Sequence, residues 1–369
     1  MWRSASDSAM KPVSNQNPAY ITSSVDFEDP ISYPNIYPIK TGGKGNTPIS
    51  RQTTAPEVVS CLVKRGCQDL TANIEIFTFD PIAPGGFSDV YRGKMVGHES
   101  KLVAVKVPRI SAENFGESPE HISNSARELH TWSKCNHPNV LPLLGLMNFR
   151  GRIAMVSPWM DGGNLPRYLE TNPGADWPDL CIQVCEGLSH LHEIGIIHGD
   201  LKGSNILVSR GGIPVLIDFG NSILKNRTLK FTESTNGSAF TLGWSAPEFF
   251  KKNGICQCTK ATDVYALGMT IYEVIAGKRP YDGIAFPGVI KLVSEKTPPE
   301  RPTCIPPGHE NGDMLWELLR HCWSYEPEAR PSAAEVTAAM KTITLAGVRF
   351  QPRQRPTSSY EPETDIGIE

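Results

Sequence analysis

The 369-residue chain lacks any run of about 18 apolar residues, the least a helix needs to cross a bilayer. Its longest helix-like apolar stretch, Val264 to Ala276, is interrupted by Tyr272 and Glu273, so membrane insertion is not expected. Long runs of one charge are missing as well. With 36 Lys+Arg against 39 Asp+Glu the formal net charge is −3, which offers neither nucleic acid nor a lipid surface a basic face. The nine cysteines are odd in number and irregularly spaced, which excludes an ordinary disulfide framework and fits reduced thiols. Cys256 and Cys258 lie close together, but no second pair or histidine follows at zinc-like spacing. The first residues have no charged-then-apolar leader, and the final Ile368-Glu369 carries no prenylation signal, so a cytoplasmic protein is expected. Internal repeats and appended recognition modules are absent too, and with them any pointer to pathway or oligomeric state.

What is present is a globular composition, 39% hydrophobic and 20% charged, long enough for two ordinary domains or one two-lobed domain with tails. Residues 1–68 are rich in Ser, Pro, Asn, Gly and Thr with little periodicity and read as a disordered segment. Residues 347–369, with Pro352, Pro356 and Pro362, read likewise.

The most informative stretch is His198-Gly199-Asp200-Leu201-Lys202-Gly203-Ser204-Asn205, followed after a short apolar segment by Asp218-Phe219-Gly220. It gathers a candidate base, a cation and two oxygen-bearing metal ligands, the set needed to move a phosphoryl group from a nucleotide. Taken singly, each has a plainer reading: Asp200 as a turn residue, Asn205 as a cap, Asp218 as a strand-end turn. Upstream, Ile82 to Gly93 reads as strand, glycine turn and strand, with Gly85 and Gly86 able to bring backbone N–H groups close to phosphate. By itself that loop reads better as an ordinary hairpin. The alternating strand Leu102-Val103-Ala104-Val105-Lys106-Val107 then ends on a single inward lysine. Glu128, in a segment with helical apolar spacing around Ser125 to Trp132, is available to pair with it.

In order and spacing these segments resemble the eukaryotic protein kinases, whose patterns are G-x-G-x-x-G-x-V, V-A-I-K, H-R-D-L-x-x-x-N, D-F-G and A-P-E. Thr241-Leu242-Gly243-Trp244-Ser245-Ala246-Pro247-Glu248 supplies the last, and Thr262 to Met269 resembles the start of the long buried helix whose aspartate ties down the catalytic loop. Cys322-Trp323 and Glu328-Ala329-Arg330-Pro331-Ser332 resemble the closing helices, whose arginine pairs with the A-P-E glutamate. The resemblance implies an α+β bilobal fold, with a small antiparallel β-sheet lobe carrying the αC helix and a larger, mainly helical lobe. The expected boundaries are 69–346 for the domain, with the small lobe at 69–157, hinge at 158–163 and large lobe at 164–346.

The same resemblance implies ATP and Mg²⁺ as cofactors and proteins as substrates. Asp200, Lys202, Lys106 and Glu128 would carry catalysis, and Asn205 and Asp218 the metal. Ala83, Gly85, Gly86, Val90, Ala104, Lys106, Met160 and Leu207 would hold the nucleotide. Ser157 falls at the gatekeeper position, and Pro158, which has no N–H, leaves hinge recognition to its carbonyl and the Met160 amide. Departures are visible. Ala83 and Ser88 replace two glycines of the loop, and Gly199 stands where many kinases carry the arginine that receives an activation-loop phosphate, so control through that contact is not expected. Lys202 and Thr241 are serine/threonine-kinase-like, whereas Trp244 and Cys322-Trp323 are tyrosine-kinase-like. That mixture resembles the tyrosine-kinase-like group and favours transfer to serine and threonine. Two alternatives stay open, a pseudokinase scaffold and an enzyme with tyrosine or dual specificity.

Overall fold

The computed structural model describes residues 60, 63, 67–84, 88–108, 132, 135–218, 242–250 and 257–343. The tails expected at 1–68 and 347–369 lie largely or wholly outside these residues, as do Gly85, Gly86, Glu128, Phe219, Gly220 and Thr241.

Val103, Val105 and Val107 are fully buried while Leu102, Ala104 and Lys106 face the other way, the period of two that a strand with one core face requires. This strand, β4 (His98–Pro108), is central to a six-stranded antiparallel sheet. Around it lie β1 (Ile74–Ile76), β2 (Ala83–Pro84), β3 (Ser88–Met95), β5 (Gly145–Phe149) and β6 (Arg152–Pro158), in the order β1-β3-β4-β6-β5 with β2 also on β3. The β5–β6 hairpin turns through Arg150 (φ 51°) and Gly151 (φ 79°), the two left-handed residues that a tight right-twisted hairpin demands. Asn148 Oδ1 accepts the Gly151 N–H at 3.0 Å, and the Arg150 guanidinium lies 4.8 Å over the Phe149 ring. Ahead of β1, Leu70 N donates to Leu146 O at 2.8 Å and Leu146 N to Gln68 O at 2.9 Å. Gly145 makes this approach possible, since a Cβ there would sit 2.5 Å from Gln68 O.

Below the sheet the chain becomes helical. α1 (Leu165–Thr171) starts at Asn164, whose side chain accepts the Arg167 N–H at 3.0 Å, and has Pro166 in the first turn, where no N–H is needed. α2 (Trp177–Glu193) is capped by Asp176 and buries Leu180, Cys181, Val184, Cys185, Leu188 and Leu191 at three- and four-residue intervals. Each fully buried leucine here is worth about 1.5–3 kcal/mol relative to exposure. α3 (Lys260–Ala276) is opened by a capping box between Thr259 and Thr262 and closed by Gly277 in the left-handed region, and residues 262–276 are all buried. A helix buried on every side belongs at the centre of a lobe, and α2 and α5 (Glu310–Cys322) both pack on it. α4 (Phe286–Ser294) lies nearer the surface, and α6 (Ala333–Thr342) returns to α2. The expected α+β bilobal architecture is thus the observed one, while the segment expected to form the αC helix lies outside the described residues apart from Trp132.

The expected pairing between Glu248 and Arg330 is bidentate. Nη1 meets Oε1 and Nη2 meets Oε2, both at 2.7 Å, while Nε donates to Ser324 O at 2.8 Å and Nη1 to Ala261 O at 3.0 Å. The arginine side chain is wholly buried. Cys67, Cys181, Cys185, Cys304 and Cys322 are free thiols, and burial pushes those of Cys181 and Cys185 well away from the thiolate form.

Candidate active site

After α2 the chain turns at Gly195 (φ 78°) and enters the loop that begins at His198, which is fully buried. Asp263, in the first turn of α3, accepts His198 N–H at 2.7 Å and Gly199 N–H at 2.8 Å. His192, the penultimate residue of α2, reaches the same carboxylate at 2.9 Å through Nε2. Gly199 sits at φ 75°, a conformation that glycine adopts without the Cβ penalty of other residues.

With the loop fixed there, Asp200 N–H donates to His198 Nδ1 at 3.2 Å and the aspartate carboxylate gathers its neighbours. Lys202 Nζ lies 3.3 Å from Asp200 Oδ2. Asn205 Nδ2 donates to Asp200 O at 2.7 Å and to Oδ2 at 3.0 Å. The hairpin of β7 (Ile206–Val208) and β8 (Pro214–Leu216) then returns the chain, and Ile217 N–H donates to Asn205 O at 3.1 Å. Asp218 follows at φ 59°, a left-handed conformation that aspartate tolerates better than most side chains but which still carries strain.

Asp218 faces the small lobe. Its Oδ1 is 2.6 Å from Lys106 Nζ, a contact between residues 112 apart in the chain. Burial alone would raise this carboxyl's pKa, but the Lys106 ammonium, helped by His198 and Lys202, overrides it and holds Asp218 below the usual carboxylate range. Strand register places Val90 opposite Lys106 and Ala104 opposite Ser157, so Val90, Ala104 and Lys106 share one face, and the Ala83 main chain pairs with Val90. Leu207 on β7 is bridged to Asn164 at the start of α1. In the connection between lobes, Trp159 N–H donates to Leu102 O at 3.0 Å and Met160 O accepts Gly163 N–H at 3.2 Å.

Five of the expected site residues, Lys106, Asp200, Lys202, Asn205 and Asp218, therefore converge between the lobes. The expected Glu128 partner of Lys106 is outside the described residues; among the described residues Lys106 meets the carboxylate of Asp218. Sequence reasoning missed His192 and Glu273; the latter's Oε2 accepts Gly203 N–H at 2.9 Å. The donor set suits a hard divalent cation. Asn205 uses its amide N–H groups on Asp200, which leaves the amide oxygen to offer, and Asp218 is a carboxylate. Among the described residues no group of three or more His, Cys, Asp or Glu forms a cation site, so substrate phosphates and water would have to complete the shell.

Residues 77–340 match the family described as protein tyrosine and serine/threonine kinase. The chain is a member of that kinase family. The family generally uses ATP as phosphoryl donor and a divalent cation. Over 297 residues this kinase is 29% identical to MAP3K epsilon protein kinase 2 of Arabidopsis thaliana, covering 79% of this chain and 20% of that protein. It is 31% identical over 277 residues to a probable LIM domain-containing serine/threonine-protein kinase of Dictyostelium discoideum, covering 73% and 39%. Serine/threonine/tyrosine-protein kinase HT1 of Arabidopsis thaliana is 26% identical over 282 residues, covering 74% and 68%. The kinase thus spans about a fifth of the length of its MAP3K epsilon relatives. These relatives agree with the tyrosine-kinase-like group expected from the motifs. Among the described residues no helix is long and apolar enough to cross a membrane.

Proposed function

We propose that this kinase domain transfers the γ-phosphate of Mg·ATP to serine and threonine hydroxyls of proteins in cytoplasmic signalling. The observation that carries the reading is the convergence of Asp200, Lys202 and Asn205 with the Lys106–Asp218 pair. In this reading Asp200 accepts the proton of the attacking hydroxyl while the new O–P bond forms and the bond to the β-phosphate oxygen breaks, leaving ADP. Lys202 offsets charge on the transferring group. Lys106 holds the α- and β-phosphates, with Glu128 fixing its direction. Mg²⁺, held by Asn205 and Asp218, supplies electrostatic stabilisation of the phosphates when bound. Ala83, Gly85, Gly86, Val90, Ala104 and Leu207 enclose the nucleotide, and the Met160 amide with the Pro158 carbonyl reads the adenine edge.

Lys202 in the D-L-K-x-x-N pattern supports serine/threonine acceptors, and the name of the Dictyostelium relative points the same way. The serine/threonine/tyrosine name of one relative makes dual specificity the second reading. The main-chain pairing of Leu70 and the end of α6 at Thr342 support domain limits of 69–346. The test is transfer of labelled phosphate to a generic protein by wild type and Asp200→Asn, followed by phosphoamino-acid analysis. Label on serine and threonine that vanishes in the variant is expected. Label on tyrosine moves the reading to the second specificity, and a folded protein without variant-sensitive label moves it to a pseudokinase scaffold.

A further inference from the structure

Residue 203 lies between Lys202 and Ser204, and two properties of its glycine meet one side chain. Its N–H donates to Glu273 Oε2 at 2.9 Å in a buried contact. Its missing side chain leaves room for that carboxylate, because a Cβ would stand 2.7 Å from Glu273 Oε2, 3.0 Å from Glu273 Cδ and 2.9 Å from Pro166 Cγ. Alanine would push the carboxylate away, and proline would remove the donor.

Glu273 comes from α3, the helix that also supplies Asp263, and is 7% exposed. Burying a carboxylate is unfavourable unless hydrogen bonds replace its water. The two acidic residues are ten positions apart, about 15 Å along the helix axis. Asp263 holds the loop at His198 and Gly199, Glu273 holds it at Gly203, and between them Leu201 is driven into the core at 1% exposure. Asp200 and Lys202 thus project from a five-residue span, 199–203, fixed at both ends and in the middle. Asn205 completes the 3₁₀ turn that starts at Gly203.

We propose that Glu273 is a positioning residue for phosphoryl transfer, acting through the Gly203 N–H to set Lys202 and Asn205 against Asp200. The inference rests on the phosphoryl-transfer reading above. A buried carboxylate that only stabilised the lobe would change the fraction folded and leave turnover per folded molecule alone.

The test compares the full chain with Glu273→Gln, which keeps an acceptor oxygen, and with Glu273→Leu and Gly203→Ala, which lose the contact. Turnover per folded molecule, KM for ATP and hydrogen exchange of the loop amides are measured for each. A misplacement of about 1 Å costs on the order of 100-fold in rate, so Glu273→Leu and Gly203→Ala should lower kcat by about that factor with KM for ATP unchanged. Glu273→Gln should restore kcat to within roughly threefold of wild type, the mark of a retained hydrogen bond rather than a retained charge. Two results overturn the proposal: kcat near the wild-type value in Gly203→Ala, or kcat falling in step with nucleotide affinity. Should wild type itself show no Asp200-dependent transfer, the phosphoryl-transfer reading fails separately, and exchange at Gly203 decides. Unchanged protection in Glu273→Leu then refutes the clamp.

Discussion

Replacing Arg330 by methionine keeps most of the side-chain volume and removes the charge, which isolates the value of its pairing with Glu248. Two 2.7 Å bonds disappear, Glu248 keeps a carboxylate with a side chain only 13% exposed, and the Ser324 and Ala261 carbonyls lose a donor. Breaking one side of a buried pair costs about 3–5 kcal/mol, because the remaining charge is stranded. In a domain of this size about 1 kcal/mol shifts Tm by roughly 2–4 °C, so Arg330→Met should melt roughly 6–20 °C below wild type. The decisive comparison is the double variant Glu248→Leu/Arg330→Met, which strands no charge. In thermal scans at one fixed rate it should melt above the value obtained by adding the two single effects. The reasoning is refuted if Arg330→Met loses less than about 3 °C, or if the double variant shows simple additivity.

Three further outcomes follow from the geometry. Gly268 lets α5 approach α3: a Cβ there would lie 2.7 Å from both Cys322 Cβ and Trp323 Nε1, so Gly268→Ala should cost about 1–3 kcal/mol by overpacking, read from chemical denaturation. Gly199→Ala forces a side chain to φ 75° and should cost about 1–2 kcal/mol, whereas no loss of stability would mean that the loop relaxes off Asp263. Asp313 is held below the usual carboxylate range first by the hydrogen bond from Arg301 Nη2 at 2.5 Å and also by the Gly308 N–H. Its folded pKa is therefore depressed, so the associated stability is present above the ordinary carboxylate value and lost as pH falls through the folded one. Arg301→Gln should bring the Asp313 titration, followed by NMR, back up toward the ordinary range, and an unmoved titration would rule out Arg301 as the cause.

The residues that converge on Asp200 were legible because their chemistry depends on short fixed intervals: Asp200 to Lys202 to Asn205 in one loop, and Lys106 at the end of an alternating strand. The Glu248–Arg330 pair was legible for a different reason, since it joins two motifs whose order alone suggests the contact. Local pattern could not show that Lys106 meets Asp218, because that carboxylate arrives from the other lobe. Glu273 shows the limit most clearly. In sequence it merely breaks an apolar run, and only the fold reveals that the break faces Gly203 N–H. The segment before β1 gave no periodic signal, because its attachment is carried by main-chain groups at Gln68 and Leu70 rather than by a repeating side-chain face.

That attachment bears on how the protein survives being cut. The family match begins at residue 77, yet the N–H and C=O of Leu146 are taken by Leu70 and Gln68. A chain trimmed to the matched boundary would uncover Gly145 and Leu146 together, a backbone row with a fully buried leucine beside it. Such a row recruits any strand that fits, including the same row on a second molecule. Self-association after trimming would then report a lost cover strand, and solubility rather than activity would set where the domain can begin.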